Sequence, residues 1–487
     1  MNFSLLYPNG DVGLSSGDER LTADLMLDKS FECFFSDTKK LNYFLSVVAL
    51  PPAEPDSSLY RAEILRDFCS CPNLLRGMLD ALRGLSALRD EHNRSRFFSL
   101  VRSSDSESAY LTGSGIAEVS LSTARKTLDA LRGLGELLGI YSPQSRGLTT
   151  LKRRVNMLTS GVDFNELTEL LELNGDMSAD DIFTLRAELD DGARVSSYEL
   201  MEIKHPAPVS EAAGIHKLFA KKSAPPMPSG IRVADRFGVL RNELLGGALR
   251  EVAELAYAIS KAIFDEFTPL SRELYFYEAA FAYVGAMKAK KLPLCYPELT
   301  KDGGSRLTEL YDLHLCAFYP AADTIVPNDA DLSSSGIVIT GGNNTGKTVF
   351  LRSIGTAQLL AQAGLPVLAR EASLRVRSGV YTLYAAAEKE FDAGNDAGRF
   401  EQEVRLLAAM TREIKPGALV LLNELFQTTA YSEGAEGLYH ILCYLRSDAV
   451  GADFVAVTHL TDLVALLGER AAHLRTLDGY KLQRVTP

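Results

Sequence analysis

The sequence has no segment that reads as a secretory leader: its start, Met-Asn-Phe-Ser-Leu-Leu-Tyr-Pro, carries neither a basic n-region nor a long apolar run. Long hydrophobic stretches are missing elsewhere too. The run Leu45-Ser-Val-Val-Ala-Leu50 is far too short to span a bilayer, which takes about 20 apolar residues, so a cytoplasmic protein is expected. Positive charge is in deficit. A net charge of −12 excludes a protein that coats nucleic acid through bulk basicity, because phosphate binding draws on clustered Lys and Arg. Cysteine is sparse and scattered (Cys33, Cys69, Cys71, Cys295, Cys316, Cys443), without the spacing of a zinc cluster, so reduced structural thiols are expected. No fixed period recurs along the chain, which disfavours a solenoid.

What the chain does have is the texture of a packed protein: 46% hydrophobic and 23% charged residues over 487 positions. That length implies about two to four domains with separate cores. Two short basic clusters, Lys217 with Lys221 and Lys222, and Lys288-Ala-Lys-Lys291, read either as phosphate contacts or as solvated charge at loops and helix ends.

From about residue 60 to 290 the apolar spacing is helical. Leu75, Met78, Leu82 and Leu85 recur at steps of three and four, as do Leu245, Leu249, Val252, Ala256, Ile259 and Ile263, so helices pack on helices. Pro269 is expected to end the second stripe, and Ser271 to cap a new helix from Arg272 to about Ala289. The proline-rich segments Lys204-His-Pro-Ala-Pro208 and Ser223-Ala-Pro-Pro-Met-Pro-Ser-Gly230 mark loops or a tip on this region. The first 55 or so residues carry no clear pattern and close on Pro51, Pro52 and Pro55. After Pro293 the texture changes to short apolar runs, Gly336–Thr340, Ala418–Leu422 and Asp453–Thr458. Bounded by turn residues and separated by helical stretches, they suit buried strands of a mainly parallel sheet in an α/β domain.

Each of these strands leads into residues with chemistry. The first runs into Gly341-Gly342-Asn343-Asn344-Thr345-Gly346-Lys347-Thr348-Val349 and a helix that Gly364 and Pro366 stop, which is the strand, glycine loop and helix of a P-loop. Glycines let backbone N–H groups turn toward phosphates and the helix N-terminus adds its positive end. Lys347 reaches the β and γ phosphates, and Thr348 offers a hydroxyl to Mg2+. The second strand delivers Asn423 and Glu424, the place of a Walker B pair. Glu424 there orients or deprotonates an attacking water. Asn423, standing where an acid is usual, keeps an acceptor near a magnesium-bound water and lacks the negative charge, which weakens metal holding. The third ends in Thr458-His459, an imidazole beside the γ-phosphate that senses its presence. His92, His205, His216, His314, His440 and His473 show no ligand spacing.

In this order the motifs resemble the MutS mismatch-repair ATPase family, a branch of the ABC-type ATPases. Thr340–Thr348 is similar to its P-loop, including Asn343 two residues after the first glycine; Asn423-Glu-Leu-Phe-Gln-Thr-Thr-Ala-Tyr-Ser-Glu-Gly434 has the length and ends of its Walker B and D-loop stretch; Thr458-His459 matches its switch histidine. Val326-Pro-Asn-Asp329 looks like the segment entering the ATPase domain, which puts Ile325 where the family has an adenine-stacking side chain. An aliphatic packs on a base face with less stacking than an aromatic.

The resemblance is specific over about residues 300 to 480 and architectural over 60 to 300. It implies an α plus α/β chain: an N-terminal segment 1–60, a helical core and lever region 61–300 with a tip near 200–232, and an ABC-type P-loop ATPase domain 301–487 with a mainly parallel sheet. It further implies a homodimer with two composite sites for ATP and Mg2+, each completed by the partner's signature helix. The nearest match to that helix is Gly398-Arg-Phe400-Glu-Gln-Glu403, where Gly398 replaces the usual serine. DNA is the implied partner, held through its backbone by the lever tips.

Three departures qualify the match. No room exists before residue 60 for the family's mismatch-reading and connector domains. Phe276-Tyr277-Glu278 spells the wedge motif but falls inside a helix, where core packing is expected. The chain stops at Tyr480-Lys-Leu-Gln-Arg-Val-Thr-Pro487, where family members continue, so either the dimer-supporting tail is missing or the sequence is truncated. The resulting expectation is a MutS-type, ATP-driven DNA clamp without mismatch readout. The alternative, motivated by Asn423 and Gly398, is an ATP-gated scaffold that barely hydrolyses ATP. A small-molecule kinase is disfavoured, since nothing like an acceptor pocket or lid follows the P-loop.

Overall fold

Unbroken apolar runs become the central strands of the C-terminal part of the chain, as their composition requires. The computed structural model describes residues 3–9, 19–50, 52, 54–102, 112–174, 182–189, 195–204, 237–319, 325–332, 336–342, 345–385, 399–427, 430–470 and 475–477. Asn343, Asn344, Gly398, the cluster Lys217, Lys221 and Lys222, the segment Ser223–Gly230 and the terminal Tyr480–Pro487 lie outside these residues. The chain divides into two compact units that do not follow chain order. One comprises Met1–Leu79, Leu137–Lys152 and Pro269–Pro487, the other Asp80–Glu136 and Arg153–Thr268.

The first unit holds a five-stranded, all-parallel sheet in the order Arg475–Leu477, Gly336–Ile339, Asp453–Val457, Leu419–Asn423, Val380–Tyr384. Every residue of the three middle strands is buried, which explains why they lack the alternation of a one-faced sheet. In register, Val457 lies opposite both Ile339 and Asn423, so the three strands end level. Val420, Leu422, Phe454 and Ala456 share a core cluster with Leu438, Leu442 and Leu445 of the helix Tyr431–Arg446 and with Leu463 and Leu467 of Thr461–Arg470. The helix Lys347–Gln362 packs against the sheet and is itself almost wholly buried. Gly364 (φ 85°) closes that helix in the left-handed region, where glycine carries no Cβ penalty. A second sheet, in the order Glu298–Thr300, Glu371–Arg375, Ser305–Leu310, Asn328–Leu332, was not evident from the sequence pattern. Its short strands are mostly half-exposed, so neither strict alternation nor a solid apolar run betrays them.

The patternless N-terminus belongs to this same unit. Glu273 accepts hydrogen bonds from Ser4 Oγ (2.7 Å) and the Leu5 amide (2.6 Å), Tyr277 donates to the Leu5 carbonyl (2.5 Å), and buried Arg61 donates from Nε to the Leu6 carbonyl (2.9 Å). Phe31 packs on Phe44 and Tyr283, and Phe44 stacks on Phe276. Phe276 and Tyr277 are therefore core residues, while Glu278 pairs with Lys40. Lys290 is not a free surface charge: its ammonium donates to the carbonyls of Cys316, Ala317 and Tyr319 (2.6–3.0 Å), capping the C-terminus of the helix Leu313–Phe318.

The second unit is largely helical, with Leu82, Leu85, Leu128, Leu131, Val155 and Phe164 buried. It also contains an antiparallel ribbon, Ile182–Leu189 paired with Val195–Lys204, where the sequence spacing pointed only to helices and a loop. Pro269 does not end its helix. One helix runs from Phe237 to Ala289 with the proline inside it. A missing N–H and ring clash cost about 3 kcal/mol, but Phe264, Phe267, Leu270 and Leu274 on either side of Pro269 are all buried. Burial of these side chains offsets the penalty, and Ser271 lies within the helix instead of capping a new one. All six cysteines are free. No helix among the described residues is long and apolar enough to cross a membrane.

Candidate nucleotide site

The level strand ends bring three sequence-distant segments to one edge of the sheet. Beyond Ile339, Gly341 (φ 152°) and Gly346 (φ 93°) take backbone conformations that suit glycine, and Gly346 is the N-cap of Lys347–Gln362. The unpaired amides and positive end of that helix thus open where the strand stops. Lys347 folds back over the loop: its ammonium donates to the carbonyls of Gly341 (3.0 Å) and Gly342 (2.8 Å) and lies 3.3 Å from His459 Nε2. Thr345 Oγ1 donates to the Gly342 carbonyl (2.9 Å), tying the loop to itself. Burial lowers the Lys347 ammonium below its ordinary range, opposed by the charge of Glu424.

From the strand Leu419–Asn423, Asn423 Oδ1 accepts the Thr348 hydroxyl at 3.1 Å. Glu424 turns out of the sheet with φ 57° while its amide stays bonded to the Val457 carbonyl (2.8 Å), and Phe426 follows with φ 63°. Left-handed backbone at a non-glycine residue costs about 1–2 kcal/mol, so both positions are held there by their surroundings. Thr458 ties the third strand end to the first through its amide and the Ile339 carbonyl (3.1 Å), and its hydroxyl accepts the Leu460 amide (3.0 Å), shaping the turn that carries His459. His459 Nε2 lies 3.2 Å from Glu424 Oε1. One ring nitrogen either donates to Glu424 or accepts from Lys347, so the two contacts compete.

These groups face a cavity of about 710 Å³ lined by Thr345, Gly346, Lys347, Thr348, Val349, Glu424, Gln427, Tyr431, His459 and Leu460. Lys347, Thr348, Glu424 and His459, which the sequence suggested from separate motifs, are thereby brought together, while Asn423 is buried behind Thr348 and does not line the cavity. Ile325 is buried and is not among the lining residues. Phe400 and Glu403 do not line the cavity either. Phe400 is 43% exposed with its ring 5.2 Å from Phe426, and buried Glu403 accepts the Phe426 amide at 2.7 Å. Gln427 and Tyr431 were overlooked in the sequence. Tyr431, 63% exposed at the start of its helix, was detectable only as an aromatic inside the quoted Walker B and D-loop stretch.

A glycine loop opening a helix at the carboxyl edge of a parallel sheet, with a lysine and a hydroxyl beside it, defines the P-loop class of α/β domains. Known proteins narrow the class. Residues 337–479 match the family model for MutS domain V, and residues 54–290 that for the MutS2 N-terminal domain. The chain is 25% identical over 330 residues to the endonuclease MutS2 of Streptococcus sanguinis, covering 67% of this chain and 39% of that protein. It is 33% identical over 146 residues to the DNA mismatch repair protein MutS of Granulibacter bethesdensis, covering 30% of this chain and 15% of that one. A further endonuclease MutS2, of Streptococcus uberis, is 30% identical over 220 residues, 45% of this chain and 26% of that protein. The chain is homologous to MutS and MutS2 proteins. It spans less than two fifths of the length of these relatives.

Proposed function

We propose that this chain is an ATP-dependent DNA-binding switch of MutS type, a homodimer that closes on ATP and reopens on hydrolysis, serving DNA repair without reading a mismatch directly. The observation that carries this reading is the convergence of Lys347, Thr348, Glu424 and His459 on one cavity at the strand ends. Its volume, about 710 Å³, falls in the range of about 300–1,000 Å³ usual for small-molecule sites. The donor set suits a magnesium nucleotide: an ammonium that bonds carbonyls and an imidazole, and a helix N-terminus beside it. Thr348 and Asn423 add neutral oxygens.

In this reading Lys347 and the loop amides of Gly341 to Gly346, with Asn343 and Asn344, hold the phosphates, and Val349 and Ile325 belong to the nucleotide-binding segments. Thr348 would hold Mg2+, with Asn423 supporting it from beside Thr348. When bound, the metal would supply positive charge against the phosphate oxygens. Glu424 orients the water or takes its proton, and His459 reports occupancy by exchanging its contact with Glu424 for one with the phosphate. Phe400 and Glu403 of the helix Arg399–Glu413, with Gly398 before it in sequence, are offered to the partner's site, and the basic cluster Lys217, Lys221 and Lys222 meets the DNA backbone. The printed names of the relatives, endonuclease MutS2 and DNA mismatch repair protein MutS, support a DNA substrate.

Steady-state turnover with and without DNA tests the switch. Glu424→Gln should lower kcat by roughly 10²–10⁴-fold, the usual worth of a general base, while nucleotide affinity stays within about twofold. Turnover absent from the wild type and unchanged in Glu424→Gln would sink this reading. One observation favours a second: the neutral Asn423 facing Thr348 removes metal-directed charge, as an ATP-gated scaffold with almost no turnover would tolerate.

A further inference from the structure

We propose that Glu403 is a positioning residue for Glu424 of its own chain, clamping the left-handed turn that carries the catalytic carboxylate. This inference rests on the proposed role of Glu424 in turnover and adds a function in cis for the helix Arg399–Glu413. Glu424 and Phe426 occupy left-handed backbone at φ 57° and 63°, a state that persists only where neighbouring groups over-determine it. On the strand side the restraint is the bond from the Glu424 amide to the Val457 carbonyl (2.8 Å). On the far side it is the bond from the Phe426 amide to Glu403 Oε2 (2.7 Å), made to a carboxylate and so stronger than a neutral one.

The helix pattern points to the same role. Glu401, Val404 and Arg405 are exposed, whereas Glu403 is 4% exposed, and a carboxylate is rarely buried unless it is used. The Phe426 ring is buried and meets Phe400, one turn before Glu403, at 5.2 Å. Two residues of one helix thus grip one residue of the turn, its amide and its ring. Removing the carboxylate frees the Phe426 amide, lets the turn relax toward right-handed backbone, and swings the Glu424 side chain from its place beside His459.

The experiment compares full-length wild type, Glu403→Ala, Glu403→Asp, Glu403→Gln and Glu424→Gln by ATP turnover, fluorescent-nucleotide binding, thermal melting and hydrogen exchange of the peptide covering residues 424–427. Glu403→Ala should lower kcat roughly ten- to a hundredfold, the cost of misplacing a reacting group by about an ångström. Glu403→Gln retains an acceptor and should recover most of that loss, and exchange should speed up in the alanine and aspartate variants but not in the glutamine variant. If Glu403→Ala does not fold, Glu403→Asp, shorter by one methylene, is expected to show the same loss of kcat. Wild-type kcat in a folded Glu403→Ala or Glu403→Asp, beside a dead Glu424→Gln, overturns the clamp and leaves the reading of Glu424 intact. If the wild type itself does not turn over, that reading falls and hydrogen exchange decides for the clamp: unchanged exchange in Glu403→Ala refutes it.

Discussion

Replacing Asn423 by aspartate asks whether the missing charge limits this site. Asn423 is 9% exposed and its Oδ1 accepts the Thr348 hydroxyl at 3.1 Å. A neutral hydrogen bond nets about 1 kcal/mol and one to an ionised partner about 1.5–3 kcal/mol, so the carboxylate gains roughly 1 kcal/mol from Thr348. Against this stand several kcal/mol, in order of magnitude, for desolvating the new charge, and repulsion from its sequence neighbour Glu424. Without a divalent cation Asn423→Asp should therefore destabilise the fold by about 1–3 kcal/mol. With Mg2+ and ATP most of that cost should be offset. A carboxylate oriented behind the metal changes affinity by about ten- to a hundredfold, roughly 1.4–2.8 kcal/mol. Melting with and without Mg2+-ATP, and turnover titrated with Mg2+ at fixed nucleotide, measure both effects. A Mg2+ half-saturation point equal to or above that of the wild type would refute the placement of Asn423 behind the metal. A large rise in kcat would mark the natural asparagine as a brake.

Two further predictions concern the frame of the site. Gly364→Ala forces φ 85° on a residue whose Cβ would stand 2.5 Å from the Ser58 carbonyl oxygen and 2.7 Å from Arg61 Cβ. Left-handed strain of about 1–2 kcal/mol plus overpacking of about 1–3 kcal/mol predicts a loss of roughly 2–5 kcal/mol in urea unfolding, and a loss below about 1 kcal/mol would mean that the helix end shifts freely. Burial pushes the Cys316 thiol from 9.0 up to about 12. Because the folded value is raised, its contribution to stability is complete below pH 9 and is lost as pH climbs toward the folded value. Stability above pH 9 should consequently fall more steeply in wild type than in Cys316→Ala, and equal slopes would contradict the burial of the thiol.

Much of the site was legible because its parts are local. Gly341 to Thr348 form one strand–loop–helix, and the strand ends at Asn423 and at Thr458 follow uninterrupted apolar runs. Burial on both faces makes such runs conspicuous. Elements whose stability comes from elsewhere were not legible. The helices Glu19–Asp24 and Leu27–Glu32 are 6 residues each, too short to stand alone; the first buries Leu21, and Phe31 of the second packs on Tyr283, far along the chain. Pro269 was read by its local rule, and packing on both sides of it overrode that rule.

The sequence by itself determined the P-loop, the three site-bearing strands and the MutS resemblance, because glycine conformation, apolar continuity and motif spacing act over a few residues. Only tertiary structure decided which of those residues meet: the level ends of three parallel strands set His459 beside both Lys347 and Glu424. It alone showed Glu403 closing on the Phe426 amide across 23 residues of chain. A hydrogen bond between a helix side chain and a distant turn leaves no period or composition to read, since its energy depends on where the sheet delivers both partners.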